Sequence, residues 1–279
     1  MGKPALVHRP DLAALARSAH VDDRLVGLRD LTVWRTRGGR VLVRCAAWLA
    51  GLLGPHLAVL ALLLVAGGCV VALTGASAEL YEQVGAEDGL VAFDRPVLEV
   101  MMQLRSEPAN TAVTAYTDLG GPVGMPVLTG LAVLAMTLVW RQWTPVVLVA
   151  VAAAGSLLMT VVGKALVDRV RPPRGDAVPP YEESAAFPSG HALNAVVLAG
   201  VVAYLLIRRQ HRAWVRATTL AVAAAFAFTM GLSRVYLGHH WLTDVLVAWT
   251  LGLAWLTVVV AAHRLWLTVR RQQEGKATA

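Results

Sequence analysis

The segment Ser233–Asp244 reads Ser-Arg-Val-Tyr-Leu-Gly-His-His-Trp-Leu-Thr-Asp and lies at the edge of an otherwise apolar stretch. Ionisable groups are costly near a bilayer core, and clusters of them there usually serve a function. His240 and Asp244 are four residues apart. On a helix this spacing puts both on one face, with Cβ atoms about 5–6 Å apart. A carboxylate accepting a hydrogen bond from Nδ1 would fix the imidazole tautomer and leave Nε2 as a nucleophile. Arg234 precedes His240 by six residues across an expected turn at Gly238, close enough to hold an anion beside that nitrogen. Alone, a histidine and an acid at helical spacing are equally an interfacial pair without chemistry. His239 competes for the same role, but it meets Thr243 four residues on and lies about 100° round a helix from its neighbour. It is therefore assigned to the rim.

Two more polar islands stand at other apolar edges. Lys164 is followed after six residues by Arg171 and Pro172, and Pro188-Ser189-Gly190-His191 opens a later apolar run. A phosphate monoester or pyrophosphate carries about two negative charges, and its transition state spreads charge over equatorial oxygens. Catalysis on it is mainly positioning and electrostatic stabilisation. Lys164, Arg171 and Arg234 supply three cations for that purpose. Arginine's fork suits bidentate phosphate binding, and lysine acts as a point charge. If the helix carrying Lys164 persists, Arg171 lies two turns further on and meets a different oxygen. Ser189 is a preferred N-cap type, free N–H groups at a helix start bind anions, and Gly190 permits close backbone approach. A plain cap explains Ser189 but not His191 in the same first turn. No carboxylate cluster suited to Mg2+ accompanies these residues, so no cofactor and metal-independent chemistry are expected.

In chain order, Lys-x6-Arg-Pro, Pro-Ser-Gly-His and Ser-Arg-x5-His-x3-Asp resemble the three-part signature of the type 2 phosphatidic acid phosphatase (PAP2) superfamily. That superfamily includes lipid phosphatases and vanadium haloperoxidases. Every signature position is filled, over Lys164 to Asp244. The resemblance implies that His240 attacks phosphorus in line and forms a phosphohistidine, and that Asp244 orients and stabilises it. It implies that His191 protonates the leaving oxygen and then activates water. Lys164, Arg171, Ser189, Gly190 and Arg234 would bind the phosphate.

The elements that must position these groups are membrane helices. Of 279 residues, 57% are hydrophobic and 15% charged, against about a quarter charged in a soluble chain. The apolar residues come in long runs, which predicts an all-α polytopic bundle of six transmembrane helices. The first expected span lies within Val41 to Thr74, most apolar over Leu57 to Leu73, and the others are Gly121 to Trp140, Thr144 to Val167, Ser189 to Ile207, Ala217 to Arg234 and His240 to Trp266. Pro172 is expected to end the third, because a residue before proline is pushed out of helical geometry. Ala154, Gly155, Ser156 and Gly163 permit close helix approach there. Cys45 and Cys69 both fall on the first apolar segment, about 36 Å apart along a helix, too far to pair.

Three regions complete the domain reading: a basic N-terminal tail over 1–44, a six-helix domain over 45–267 and a tail over 268–279. Asp11 to Trp34 has apolar residues at helical spacing, compatible with an amphipathic surface helix or a solvated tail. Ala76-Ser77-Ala78 resembles a signal-peptidase site, but the preceding basic region and apolar run are too long, which favours an uncleaved anchor. The connection over 75–119 is acidic, and Asp94 to Leu104 could form a short helix with Val97, Leu98, Met101 and Leu104 on one side.

Charge orients the bundle. Arginine and lysine dominate the N-terminal tail, the turn Arg208–Arg216 and the C-terminal tail, whereas the loops after the first and third spans are acidic. The positive-inside rule then puts both termini in the cytoplasm and all three motifs on the extracytoplasmic face. The net charge of +7 follows the cytoplasmic edges, which argues against a nucleic-acid partner. The expected function is a cell-membrane lipid phosphatase acting on undecaprenyl diphosphate, phosphatidic acid or phosphatidylglycerophosphate. A lipid phosphotransferase, a prenyl-linked sugar phosphate phosphatase and a non-catalytic relative such as a transporter or scaffold are the alternatives. Little soluble mass outside the spans disfavours a haloperoxidase. Nothing in the sequence sets the oligomeric state.

Overall fold

Glycine and proline set the helix boundaries of this chain. The computed structural model describes residues 25–26, 29–84 and 89–277. Among them nine helices are defined: α1 Arg37–Leu53, α2 Pro55–Val84, α3 Asp94–Gln103, α4 Glu107–Asp118, α5 Gly124–Trp140 and α6 Thr144–Val167, then α7 Gly190–Ile207, α8 Ala213–Tyr236 and α9 Leu242–Ala277. The Thr36 hydroxyl caps α1 by accepting from the Gly39 N–H at 3.1 Å. Gly54, at φ 82°, ends α1, and Pro55 opens α2 at once. The stretch Val41 to Thr74 is thus two helices, and its most apolar part, Leu57 to Leu73, lies wholly within α2. Cys45 sits on α1 and Cys69 on α2, both as free thiols.

Two further expectations are corrected. Leu25–Val26 and Arg29–Asp30 form a two-stranded antiparallel ribbon, β1 and β2, where an amphipathic helix to Trp34 was one of two expectations. The Asp30 carboxylate accepts from the Thr32 N–H and hydroxyl, an Asx-type turn that competes with helix. Residues 1–24 and 27–28 of the N-terminal tail lie outside the described residues. Secondly, α6 stops at Val167, four residues before Arg171, because Asp168 adopts a left-handed φ of 39° and donates its N–H to the Lys164 carbonyl. The acidic connection over 75–119 holds α3 and α4. Leu98 of α3 is buried and Val97 and Met101 pack on the core, as their spacing predicts, while Leu104 is exposed.

By length and composition α6, α7, α8 and Leu242–Glu274 of α9 are long and apolar enough to cross a membrane. His56–Cys69 within α2, and α5, are shorter apolar helices. α7 is the central helix, with Leu193, Val197, Val201 and Leu205 recurring every fourth residue and all fully buried. It carries one turn of π-helix over Ala195–Ala199, a bulge of the kind that accumulates at functional sites. Just before it, Asn194 accepts from the Ser156 hydroxyl of α6 at 2.6 Å. α9 packs against α6 where Trp255 lies on Gly155, and its indole N–H donates to the Ala152 carbonyl at 3.0 Å. A Cβ at Gly155 would stand 2.1 Å from the indole, so only glycine allows that approach. The opposite surfaces are apolar and exposed, at Leu131, Leu138, Val161, Val222 and Phe228. A surface of that kind is solvated by lipid, and the chain is a multi-pass membrane protein.

Candidate active site

Three segments distant in sequence meet at one end of the bundle: the close of α6 with the loop behind it, the start of α7, and the turn from α8 to α9. With the end of α4 and the junction to α5, they enclose a cavity of about 910 Å3, lined among others by Lys164, Gly190, His191, Arg234, His239 and His240. Arg171 touches the cavity's histidine, its Nη1 lying 3.3 Å from His240 Nε2. Ser189 and Asp244 are fully buried beside it. The eight residues expected to do chemistry are therefore gathered in one place.

The α8–α9 turn is built to present His240. Arg234 lies in the last turn of α8, and its carbonyl accepts the N–H groups of both His239 and His240, at 3.0 and 3.3 Å. Gly238 takes φ 72°, and a Cβ there would lie 2.4 Å from the Asp176 carbonyl oxygen, so the turn needs glycine twice over. α9 begins two residues after His240. Asp244 in its first turn accepts the Trp241 N–H at 2.9 Å and faces His240 Nδ1 at 3.5 Å. The carboxylate is thus on the Nδ1 side, as the four-residue spacing predicts, but His240 itself precedes the helix and its Nδ1 makes no hydrogen bond to Asp244. Nε2 is left toward Arg171 and the cavity.

Behind the histidine lies a layer that spacing did not reveal. Arg169 donates to Asp244 Oδ1 at 2.5 Å, to the Thr243 hydroxyl at 2.8 Å and to Asp94 Oδ2 at 2.6 Å. Asp94 also accepts the Thr243 N–H at 2.8 Å, so a carboxylate from α3 caps α9 at its positive end. Asp94–Arg169–Asp244 is a buried ionic chain, and each member needs the others, because a lone charge there would be costly. The only sequence signal was that Arg169 falls two residues before Arg171 at an apolar edge.

Glu182 is the second residue missed. It belongs to the loop before α7, legible in the sequence only as acidic. Its Oε2 accepts from Arg171 Nη2 at 2.7 Å, and its Oε1 accepts from Arg234. Its carboxylate bridges the two guanidiniums. Burial alone would raise the Glu182 carboxyl, but Arg234 and Arg171 outweigh it and hold it at about 2. Lys164 donates to the Ser184 hydroxyl at 3.2 Å and to the Ala185 carbonyl.

Three local expectations change. Arg171 lies in extended chain rather than two turns along α6, and it reaches the site by bonding the His239 carbonyl at 2.5 Å and the Ser184 carbonyl at 2.6 Å. Ser189 stands at the N-cap of α7, but its hydroxyl caps nothing and is buried without a hydrogen-bond partner. His239 is buried rather than on a rim, and its Nε2 meets the Val178 carbonyl at 2.7 Å, tying down the loop. Burial, then Arg171 and Arg234, push His240 well below the ordinary histidine range. His239 is lowered by burial and by Arg234. A neutral imidazole can act as a nucleophile through whichever ring nitrogen holds its lone pair.

Residues 145–267 match the family model described as the PAP2 superfamily. Phosphatidylglycerophosphatase B of Bacillus subtilis (strain 168) is 32% identical over 165 residues, covering 57% of this chain and 78% of that protein. The chain belongs to the PAP2 superfamily. A solved structure agrees, that of the first transmembrane PAP2 type phosphatidylglycerolphosphate phosphatase from Bacillus subtilis. It matches with a TM-score of 0.58 and 27% identity over 70% of this chain and 92% of that one. The matched PAP2 region contains all three motifs and the cavity lining from Lys164 onward, while the lining between Thr114 and Gly124 precedes it. The chain is a transmembrane PAP2-type phosphatase of phospholipid metabolism.

Proposed function

We propose that this protein removes phosphate from a lipid phosphate monoester or pyrophosphate through a phosphohistidine on His240. The observation that carries this reading is the cluster of His240, His191, Lys164, Arg171 and Arg234 round one cavity, with Asp244 behind the nucleophile. The phosphate displaces the Glu182 carboxylate and takes its place between Arg171 and Arg234, with Lys164 on another oxygen. The buried Ser189 hydroxyl and the start of α7 supply further donors. His240 Nε2 forms the P–N bond as the bond from phosphorus to the lipid oxygen breaks, and His191 gives that oxygen a proton. Water then attacks phosphorus and gives its proton to His191, and the P–N bond breaks to release phosphate and neutral His240. Asp244 stabilises the charge His240 carries in between.

Phosphatidylglycerophosphate is the first substrate to test, since the curated relative is named for it. Undecaprenyl diphosphate and phosphatidic acid fit the same cations. The four long helices, with His56–Cys69 and α5, make six crossings. The arginines after α7 and late in α9 put that end and both termini in the cytoplasm by the positive-inside rule, and the His240 cavity on the extracytoplasmic side. The domain bounds are the six-helix unit over 45–267 between a basic tail and a short C-terminal tail.

Phosphate release by purified protein in detergent with EDTA tests the reading, with the three lipids offered side by side. Release is expected with EDTA present, because three cations supply the charge a metal would. His240→Ala should abolish it without unfolding. Near-normal release by that variant would remove His240 from the role, and loss on chelation would contradict metal independence.

A further inference from the structure

A second cavity, of about 510 Å3, lies at the other end of the bundle. α9 contributes to both sites, and the nineteen residues from Asp244 to His263 separate them by about 28 Å along its axis. One wall is apolar, formed by Leu60 and Leu63 of α2, Val147 and Val151 of α6, and Val259 of α9. The basic and aromatic end holds Arg208 after α7, Arg270 and Arg271 late in α9, and Trp143 and Trp266. Helix direction puts the apolar wall on the bilayer side. Val259 precedes Arg270 by about 16 Å of helix, and Val147 and Val151 follow Trp143 into α6. The two tryptophans mark headgroup level.

Charge selects the occupant. Three arginines line the cavity, Arg208 buried and Arg270 and Arg271 exposed at its mouth, and Glu274 is the sole carboxylate among the lining residues. The Arg270–Glu274 pair spans 3.0 Å and the Arg271–Asp30 pair 3.3 Å, with the arginine side chains 40% and 54% exposed. Pairs so exposed are weak and yield readily to another anion. His263 forms part of the wall. Its Nδ1 is 2.8 Å from the Tyr204 hydroxyl, and its Nε2 is buried without a hydrogen-bond partner. We propose that this cavity holds one anionic phospholipid, an acyl chain along the apolar wall and the phosphodiester at Arg270 and Arg271. Among the lining residues arginine outnumbers carboxylate, which favours a lipid of net negative charge over a zwitterionic one of no net charge. The site does not depend on which lipid phosphate the His240 cavity consumes.

Native mass spectrometry of the full chain, released from detergent with equal amounts of palmitoyl-oleoyl phosphatidylserine and phosphatidylcholine, tests this. One phosphatidylserine should be retained in preference to phosphatidylcholine, and equally by His240→Ala. Arg270→Gln with Arg271→Gln should weaken retention at least about tenfold, from the contribution of two surface arginines to anionic lipid binding. Val147→Trp, at a half-exposed position of the apolar wall, should block the chain slot with the charges intact. Equal retention of the two lipids, or undiminished phosphatidylserine in either variant, overturns the proposal. So does its loss from His240→Ala, which would put the lipid in the catalytic cavity. Should the double arginine variant fail to fold, wild-type selectivity and Val147→Trp decide.

Discussion

Glu182 shows how a single side chain sets the resting state of the site. Its carboxylate bonds both Arg171 and Arg234, the groups that the proposed mechanism needs for phosphate. Two guanidiniums facing one another in a half-buried site repel, and the carboxylate offsets that until an anion arrives. Glu182→Gln keeps the shape and removes the competing charge. It is expected to tighten inhibition by inorganic phosphate about tenfold, the scale of one charge-assisted hydrogen bond. Measuring the inhibition constant against a fixed lipid substrate checks this, and weaker inhibition would mean that Glu182 holds the arginines in place instead. Ser189 makes a milder case. Its hydroxyl is buried without a hydrogen-bond partner, so Ser189→Ala should leave the melting temperature nearly unchanged while raising KM, read from a substrate titration beside a thermal scan.

At the scale of elements, α3 and α9 are joined through Arg169, which pairs with Asp94 and Asp244 at once. Removing the middle charge leaves two carboxylates buried without a cation. Arg169→Met should therefore cost about 3–5 kcal/mol, the scale for breaking a buried pair. A lowered thermal midpoint in detergent, together with lost turnover as Asp244 leaves His240, is the expected result. Asp94→Leu in the same chain removes one of the stranded charges and should recover part of the midpoint. The contact between α6 and α9 is tighter still. Gly155→Leu would drive a side chain into the Trp255 ring and should separate the helices, seen as lost thermal stability with the ionic layer intact.

The whole molecule couples the site to pH. His240 and His239 both have folded-state values below the ordinary 6.5, so the unfolded chain binds more protons than the folded one as pH drops through that range. Their effect is absent above about 6.5 and destabilising below it. Glu182 acts in the same direction further down, since its contribution is present above 4.5 and lost as pH falls toward about 2. Thermal midpoints in detergent should thus fall between pH 6.5 and 5. His239→Gln with His240→Gln should flatten that slope, and an unchanged slope would assign the acid sensitivity to other groups.

Much of the site was legible because its signals are local or strongly typed. Long apolar runs specify membrane helices, since each backbone polar group must be bonded within its own segment in lipid. The four-residue spacing of His240 and Asp244 correctly put the carboxylate on the Nδ1 side, and Gly238 did mark the turn. What sequence could not decide was set by contacts between distant segments. Arg169 meets Asp94 and Asp244 across about seventy-five residues in either direction, and Glu182 meets Arg234 across fifty-two. No periodicity carries such pairings, because the choice of counterion depends on which loop folds over which cation. Asp168 turns left-handed and takes Arg171 off the helix, where its guanidinium meets the His239 and Ser184 carbonyls of distant segments. The residue types determined which chemistry was available to this protein, and the tertiary structure decided which charges stand in contact, because electrostatic energy follows distance in space rather than along the chain.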